Sequence, residues 1–373
     1  MKITEVEALY LRLPQIQART DSSQDALLVR VTTDAGIVGW GEVDSCPWAV
    51  KAAIEAPVSH TIAGGLRQLL IGEDPLEIGR LWKKMYEATL YCGRDGLFVH
   101  AMAGIDLALW DIKGKALGRP VWDLAGGRYR DKIRVYASNM FRFTPQETAD
   151  RVKWCKDQGF TAAKFGWEPF GRSDLAFDLA MLEAMRKAAG PDFDLMLDVG
   201  LVWDATTTIQ RARAFEPFDL YWIEEPLHPD DLEGYGRVAA RIHQRLAAGE
   251  EECTLRGFKR LIDEGGIGLA QIDLTRCGMT QALAIAAYAA SKGVPVANHN
   301  FPTDINTAAS LHFLAAVPNA LVLEYCVEPS EISRALAKNP FRLEDGCFRI
   351  PDAPGLGVEP DPALIEKYLV RSL

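Results

Sequence analysis

The sequence predicts an α/β protein in which a small α+β unit precedes a barrel of parallel strands. From about residue 133 onward, short apolar runs alternate with amphipathic segments, as in folds where strands and helices follow one another in turn. Eight apolar runs can be counted, which is the strand number of a parallel β/α barrel. Before them, the chain combines strand-like alternation with helical patterns.

The first unit begins with two segments that alternate apolar and polar residues, "ITEVEALYLRL" and "ALLVRVTTDAG". The polar loop 14–25 separates them, so they are expected to pair as strands. "IVGWGEV" predicts a third strand. Helical patterns follow over about 49–117, and the small, apolar residues of 97–118 predict a buried helix.

The barrel strands are predicted from apolar runs separated by helical segments. These runs are "IRVYASN", "TAAKFGW", "FDLMLDVG", "LYWIEEP", "RLAAGE", "GLAQIDL", "VPVANHN" and "ALVLEYC". The first helix between them carries its own start signals, because Thr144 and Glu147 form a capping-box pattern around Pro145. The tail is rich in proline and glycine and is expected to pack back against the first unit.

The composition excludes several functional classes. The 373 residues are 48% hydrophobic and 25% charged, which is typical of a globular protein with a large core. The net charge of −10 without a basic cluster argues against nucleic acid or membrane as a partner. Seven scattered cysteines, no CxxC motif, no signal-peptide pattern and no bilayer-spanning stretch predict a reduced, cytoplasmic protein.

Six of the predicted barrel strands end in an ionisable residue, at intervals of 26, 26, 23, 26 and 25 residues. They are Asp198, Glu224, Glu250, Asp273, His299 and Glu324. For any one of them, a solvated loop charge is the simpler interpretation. Because the carboxyl ends of barrel strands converge on one mouth, six such residues at one phase of the repeat indicate a functional site.

The first three carboxylates predict a metal site. Asp198, Glu224 and Glu250 offer only oxygen ligands, which suit a hard divalent cation such as Mg²⁺, whereas zinc would be expected to show histidine or cysteine. Spacing alone does not assign each ligand to one residue, because three further carboxylates stand beside them: Glu225, Glu251 and Glu252.

Several motifs together resemble the mandelate-racemase-like branch of the enolase superfamily. They are "LMLDVG", "WIEEP", "AAGEE", "QIDLTRCGMTQ", "VANHNF" and the segment 93–127, and the likeness covers nearly the whole chain. The resemblance implies a (β/α)7β modified TIM barrel with an α+β capping domain formed by the N-terminal part and the C-terminal tail. The expected divisions are 1–125, 126–340 and 341–373. It also implies a homo-oligomer.

The same resemblance implies a role for each strand-end residue: Mg²⁺ ligation by Asp198, Glu224 and Glu250, an Asp273–His299 dyad, and a hydrogen bond between Glu324 and a substrate carboxylate. The chemistry is consistent with these roles. Mg²⁺ on the substrate carboxylate stabilises the enediolate that forms when the α-proton leaves. His299 can take that proton, since its ordinary pKa is near neutrality and a carboxylate can fix its tautomer. His312, in a helical pattern, is interpreted as a structural residue.

Two positions depart from the family pattern. Racemases of this branch carry Lys-x-Lys on the second barrel strand, but here the motif is "KFG", with Gly166 in place of the second lysine. Positions 164 and 166 face the same side of a strand, and Trp167 is expected to point away. Many relatives have asparagine where this chain has Gly200, so a contact to the substrate's α-hydroxyl is expected to be absent or supplied elsewhere. Racemisation needs a group on each face of the substrate and is therefore disfavoured.

With one acid/base face, the sequence predicts β-elimination, which resembles the reaction of the acid-sugar dehydratases of this branch. His299 would remove the α-proton and return it to the departing 3-hydroxyl, giving a 2-keto-3-deoxy acid from an aldonate or aldarate. Lys164 would act as a charge near the substrate carboxylate; the alternative is a lysine extending to solvent at a strand end.

Specificity is expected to come from capping loops at 14–25 and 44–50, with three weak candidates: Arg19, Asp21 and Trp48. The alternative interpretation of each is an ordinary loop residue. Two other functions stay open. One is a racemase, epimerase or cycloisomerase with a second base from a loop, and the other is a non-catalytic binding or structural protein. In either enzymatic case, the partner is a small-molecule carboxylate.

Overall fold

The computed structural model describes residues 1–17, 22–60, 64–328, 330–338 and 341–371. Within these ranges, the chain forms a three-stranded antiparallel sheet and a ring of eight parallel strands surrounded by helices. The α/β prediction is confirmed, including a capping sheet built from the N-terminal part.

The antiparallel sheet has the order β1-β2-β3. Its strands are β1 (Ile3–Arg12), β2 (Asp25–Thr33) and β3 (Val38–Val43), as the alternating patterns predict. The helices that follow are α1 (Pro47–Glu55), α2 (Arg67–Leu70), α3 (Ile78–Ala88), α4 (Leu97–Leu117) and α5 (Val121–Leu124). Helix α4 packs directly on β3, where Gly39 and Gly41 are needed because a Cβ would overlap carbonyl oxygens of α4.

The ring contains all eight predicted strands. They are β4 (Lys132–Met140), β5 (Ala162–Gly166), β6 (Asp194–Asp198), β7 (Leu220–Glu224), β8 (Arg245–Ala248), β9 (Leu269–Ile272), β10 (Val296–Asn298) and β11 (Leu323–Cys326). Neighbouring strands pair in parallel in the order β10-β9-β8-β7-β6-β5-β4-β11. A parallel bridge between Val296 and Ala320, just before β11, closes the ring.

Seven helices connect these eight strands in the described part of the chain, which gives the (β/α)7β pattern. They are α6 (Pro145–Asp157), α7 (Leu175–Ala189), α8 (Ala205–Phe215), α9 (Leu232–Ala239), α10 (Leu255–Asp263), α11 (Leu274–Ser291) and α12 (Asp304–Ala316). The predicted capping box of α6 is present, with the Glu147 amide donating to Thr144 Oγ1 at 3.2 Å. Single 3₁₀ turns occupy Ser22–Gln24 and Glu216–Phe218.

The tail contacts both parts of the protein. Helix α13 (Glu331–Ala335) precedes the tail, which contains β12 (Cys347–Arg349) and α14 (Pro362–Tyr368). Strand β12 pairs antiparallel with β4 of the ring, while the Val370 amide donates to the Tyr10 carbonyl of β1 at 2.8 Å. The divisions at 125 and 340 stay predictions.

The interior of the ring is apolar in the middle of the strands and ionisable at their carboxyl ends. Its apolar layer includes Met196 of β6 and Trp222 of β7, both fully buried. Asp198 and Glu224 follow two positions later, so they point to the same side at the carboxyl ends of the strands. The helices packed around the ring, in the described residues, include none long and apolar enough to cross a membrane.

Candidate active site

The carboxyl ends of the ring strands surround a cavity of about 260 Å³. It is lined by Met140, Lys164, Trp167, Asp198, Glu250, Glu251, Arg276, His299 and Phe301. Glu224, Asp273 and Glu324 are fully buried next to these lining residues. The structure therefore brings the six strand-end residues of the repeat together at one mouth, as expected for a parallel barrel.

Three carboxylates form a compact acidic group in this cavity. One oxygen each from Asp198, Glu224 and Glu250 lies within 4.8 Å of the other two. The neighbouring Glu225 is directed elsewhere, since its carboxylate accepts hydrogen bonds from the Tyr235 hydroxyl and the Gly249 amide, both at 2.6 Å. The geometry therefore identifies Glu224, not Glu225, as the member of the acidic group, a choice that sequence spacing alone leaves open.

The acidic group fits a divalent cation. Burial, with smaller contributions from neighbouring carboxylates, raises the pKa of Asp198 well above its usual range. Burial likewise raises the pKa of Glu224 to about 7, although Lys164 opposes this shift. A set of oxygen donors gathered in this way, with Asp198 and Glu224 disfavoured as buried anions, has the chemistry of a hard-cation site.

Lys164 connects this group to Glu324. Its side chain is only 3% exposed, and Nζ contacts Glu224 Oε1, lies 2.7 Å from Glu324 Oε1 and lies 3.9 Å from Asp198 Oδ2. Burial would lower the pKa of Lys164, but the carboxylates outweigh burial and raise it well above its ordinary value. The alternative of a lysine extending to solvent is therefore wrong.

His299 and Asp273 form a hydrogen-bonded pair. The imidazole Nδ1 lies 2.7 Å from Asp273 Oδ2, while Nε2 lies 3.4 Å from Glu250 Oε2. Asp273 Oδ1 is held by the amide of Thr275 at 2.7 Å and its hydroxyl at 2.6 Å. Burial would lower the pKa of His299, but Glu250 and the bond to Asp273 raise it to about 10. Nε2 is therefore the nitrogen directed toward the metal-binding group.

Two families match consecutive parts of the chain. Residues 2–126 match the mandelate racemase / muconate lactonizing enzyme N-terminal domain, and residues 147–364 match the enolase C-terminal domain-like family. The chain belongs to the enolase superfamily. Its branch is that of mandelate racemase and muconate lactonizing enzyme, and it is an enzyme of that superfamily whose buried acidic group fits a divalent metal site.

Relatives of the chain include two acid-sugar dehydratases and a lactone cycloisomerase. The chain is 32% identical to D-gluconate dehydratase of Thermoproteus tenax, with 98% of this chain and 74% of the relative covered. It is 35% identical to D-galactonate dehydratase of Pectobacterium atrosepticum, with coverage of 91% and 90%. D-galactarolactone cycloisomerase of Agrobacterium fabrum is 33% identical, with coverage of 89% and 88%.

Solved structures share the whole fold. A predicted mandelate racemase from Rhodobacter sphaeroides superimposes with a TM-score of 0.93 at 34% identity, covering 100% of this chain and 96% of the other. A racemase from Streptomyces coelicolor has bound magnesium, with a TM-score of 0.88, 30% identity and coverage of 99% and 100%. A Bordetella bronchiseptica relative is complexed with 2-oxoglutarate/phosphate, with a TM-score of 0.88, 33% identity and coverage of 100% and 99%.

Sequence reasoning missed Arg276, which lines the cavity of this superfamily member. Its Nη1 donates to the Glu250 carbonyl at 2.6 Å, and its Nη2 lies 3.1 Å from Asp44 Oδ2. Asp44 follows β3, so this ion pair joins the capping sheet to the metal-binding region. In the sequence, Arg276 is marked only by its position three residues after Asp273, within the motif "QIDLTRCGMTQ".

A second buried link also leaves β3 for the barrel. Glu42 accepts hydrogen bonds from the Thr303 amide at 3.2 Å, the Thr303 hydroxyl at 2.8 Å and the Asn306 amide at 3.0 Å. Burial raises the pKa of Glu42 to about 8, against these hydrogen bonds. Asn306 in turn donates to Asp273 Oδ1 at 3.4 Å. The capping sheet thus supports the loop that carries His299.

Gly166, one of the two positions that depart from the family pattern, lies beside a carboxylate that lines the cavity. A Cβ at Gly166 would lie 2.8 Å from Asp198 Oδ2, which agrees with the expectation that 166 faces the same side as Lys164. The expectation that Trp167 points away is wrong, because Trp167 lines the cavity. Strand β5 ends at Gly166 and Trp167 has φ +66°, so strand alternation does not extend to it.

The weak specificity candidates remain predictions. Arg19 and Asp21 lie outside the described residues. Trp48 belongs to α1, where its ring meets that of Tyr10 edge-on at 5.6 Å, and it is not among the residues that line the described cavity. His312 is fully buried in α12 and hydrogen-bonded on both ring nitrogens, which agrees with a structural role.

Proposed function

We propose that this chain is a Mg²⁺-dependent dehydratase of an acid sugar, an aldonate or aldarate, with a 2-keto-3-deoxy acid as product. The observation that carries the proposal is that the described cavity presents one histidine–carboxylate group to the metal-binding carboxylates. This group is the His299–Asp273 pair at 2.7 Å. The position where a racemase of this branch has its second base is Gly166.

Asp198, Glu224 and Glu250 would hold the Mg²⁺. When bound there, Mg²⁺ polarises the substrate carboxylate and so lowers the cost of removing the neighbouring proton. The oxygen-only donor set and the magnesium-bound Streptomyces relative support this assignment.

Lys164 and Glu324 position the head of the substrate. The ammonium of Lys164 is held by Glu224 and Glu324, so it presents a fixed positive charge beside the metal-binding group. A substrate carboxylate at this point gains an electrostatic partner while negative charge develops on its oxygens. Glu324 fixes the position of the Lys164 ammonium through the 2.7 Å contact between its Oε1 and Nζ.

His299 carries the proton. Glu250 is one of the groups that raise the pKa of His299, and bound Mg²⁺ would offset its charge, so the imidazole could lose its Nε2 proton. With Nδ1 held by Asp273, Nε2 then removes the proton from C2 of the acid. The imidazolium then delivers the same proton to the 3-hydroxyl as the C3–O bond breaks, so water leaves and a C2–C3 double bond forms. The resulting enol tautomerises to the 2-keto-3-deoxy acid. One group serves both steps from one face, which predicts syn elimination.

The remaining part of the cavity wall disfavours a proton transfer from the other face. Of the apolar lining residues, Phe301 follows β10, the strand that also precedes His299. Met140 and Trp167 follow β4 and β5, on the other side of β11, and neither has an acid/base group. A racemase or epimerase would need such a group there.

The relatives support an acid-sugar substrate, because D-gluconate and D-galactonate dehydratases are among them. A cycloisomerase is the second candidate, favoured by the D-galactarolactone cycloisomerase relative.

A screen of aldonic and aldaric acids in D₂O with Mg²⁺ tests the proposal. Keto-acid formation and deuterium at C2 are followed together, starting with D-gluconate and D-galactonate. A dehydratase releases a 2-keto-3-deoxy acid. Exchange without a keto acid would instead indicate an epimerase or racemase, and the absence of both reactions across the panel would indicate a non-catalytic protein.

A further inference from the structure

The segment after β5 places an aromatic side chain in the cavity. Trp167 adopts φ +66°, a conformation that is rare for a side chain of this size. It lines the cavity together with Met140 and Phe301, while the other lining residues are charged or ionisable. The cavity therefore has an apolar wall that the metal, Lys164 and His299 chemistry does not use.

Gly200 makes room for this indole. A Cβ at position 200 would lie 2.9 Å from Cδ2 and 3.0 Å from Cε3 of Trp167, closer than real Cβ atoms approach carbon. Gly200 also has φ +64°, the left-handed region that glycine adopts at the least cost. The two positions are thus coupled, since a side chain at 200 would displace the ring at 167.

Arg172 supports the indole from another direction. Its guanidinium lies 5.6 Å from the centre of the Trp167 ring, a cation–π distance. The same guanidinium also lies 3.5 Å from the Val199 carbonyl and 3.4 Å from the Gly200 carbonyl. The ring is therefore fixed by its neighbours before any ligand binds, and a preformed wall loses little conformational entropy on binding.

We propose that Trp167 is a specificity-determining residue whose indole packs against the carbon chain of the bound acid, in the space that Gly200 provides. A sugar acid has a charged head, which the polar side of the cavity binds, and C–H groups along its chain, which suit a flat apolar surface. The inference rests on the proposed function only for the class of ligand, an acid sugar.

Binding to the Mg²⁺-loaded His299→Asn protein tests the inference without turnover. Isothermal titration with D-gluconate, D-galactonate, D-glucarate and galactarate gives the affinity of each acid. In this background Trp167→Ala is expected to lower the affinity for the most tightly bound acid by about tenfold or more, the effect of one lost apolar contact in a pocket. Trp154→Ala, which removes a partly exposed indole from the outside of α6, is the matched control and leaves affinity unchanged.

A double-mutant cycle separates displacement of the indole from backbone strain. Gly200→Ala is expected to weaken binding when Trp167 is present and to add no further loss in the Trp167→Ala protein. Strain at φ +64° would lower affinity equally in both backgrounds. Trp167→Phe, which keeps a smaller ring, is expected to bind the acid with an affinity between those of wild type and Trp167→Ala. It replaces Trp167→Ala in the comparison if the alanine variant does not fold.

Three results would overturn the inference: unchanged affinity in both Trp167 variants, an equal effect of Gly200→Ala in both backgrounds, or no binding of any acid in the panel. The proposed function is judged separately, from keto-acid release by the wild-type protein. Acids that bind without being dehydrated by the wild type would contradict the dehydratase assignment, and the comparison of Trp167 variants would still decide this inference.

Discussion

The Nδ1 atom of His299 lies 2.7 Å from Oδ2 of Asp273, and both residues are buried. Asp273 itself is fixed by Thr275 through two hydrogen bonds to its other oxygen. A carboxylate held in this way keeps the proton of a neutral imidazole on Nδ1 and leaves Nε2 as the basic nitrogen.

Asp273→Asn is expected to lower kcat by roughly 10²–10⁴-fold, because the amide no longer fixes the productive tautomer. KM and Mg²⁺ affinity should change little, since Asp273 is not part of the acidic group of three. Steady-state kinetics and Mg²⁺ titration measure both. Asp263→Asn, on the outside of the barrel beside Lys292, is the control. A kcat within a factor of two of wild type would contradict a role for Asp273 in orienting His299.

Gly166→Ala is expected to weaken Mg²⁺ binding by about tenfold. The added Cβ would lie 2.8 Å from Oδ2 and 3.1 Å from Cγ of Asp198, so that carboxylate has to move. Changes to the groups that orient a metal ligand typically lower metal affinity by about 10- to 100-fold. Calorimetric titration with Mg²⁺ measures the loss. The control is Gly79→Ala in α3, where a Cβ meets nothing within 4 Å. Equal Mg²⁺ affinity in the two variants would refute the packing argument.

Lys164→Met is expected to abolish turnover and to lower the free energy of unfolding by about 3–5 kcal/mol in EDTA, because it leaves buried carboxylates without their partner. Nζ contacts Glu224 and lies 2.7 Å from Glu324. Urea denaturation measures stability, and added Mg²⁺ should recover part of it by supplying positive charge. Lys153→Met, at an exposed pair on α6, is the control. Unchanged kcat and KM would show that Lys164 is not part of the site.

Acid should destabilise the protein partly through His312. Burial lowers the pKa of this imidazole to about 4, below the ordinary 6.5. Between these two pKa values the unfolded chain binds a proton at His312 that the folded chain does not. The stability gained by burying the neutral imidazole is therefore fully present above pH 6.5 and is lost as the pH falls toward 4. At pH 5 the loss is about 2 kcal/mol.

His312→Gln removes this titration. The amide of Trp122 donates to Nδ1 at 3.2 Å, and Nε2 donates to the Leu356 carbonyl at 3.1 Å, so the variant is expected to be less stable at pH 7.5. Its further loss of stability between pH 7.5 and pH 5 should, however, be about 2 kcal/mol smaller than that of wild type. Urea denaturation at the two pH values measures the difference. Parallel pH profiles would contradict the assignment.

The barrel strands and their terminal charges were predictable because both are local patterns. Each strand is an apolar run of a few residues, and the ionisable residues recur every 23 to 26 positions, so Asp198 and His299 could be placed at one mouth from the sequence. The choice between Glu224 and Glu225 could not be made, because adjacent residues have the same spacing. The bond from Tyr235 to Glu225 decides it.

Contacts between distant segments were beyond local reasoning. The pairing of Asp44 with Arg276 joins residues 232 positions apart, and Glu42 caps α12 across 261 positions. Trp167 departs from the strand pattern for a different reason: β5 ends at Gly166, and the backbone turns to positive φ at Trp167, so strand alternation does not predict where its side chain lies.

The role of His299 as the acid/base group is tested most directly by comparing wild type with His299→Asn on the acid that wild type dehydrates fastest, in D₂O with saturating Mg²⁺. The variant is expected to lose both keto-acid formation and deuterium exchange at C2 while it binds Mg²⁺ with wild-type affinity. Wild-type turnover by His299→Asn would contradict this role.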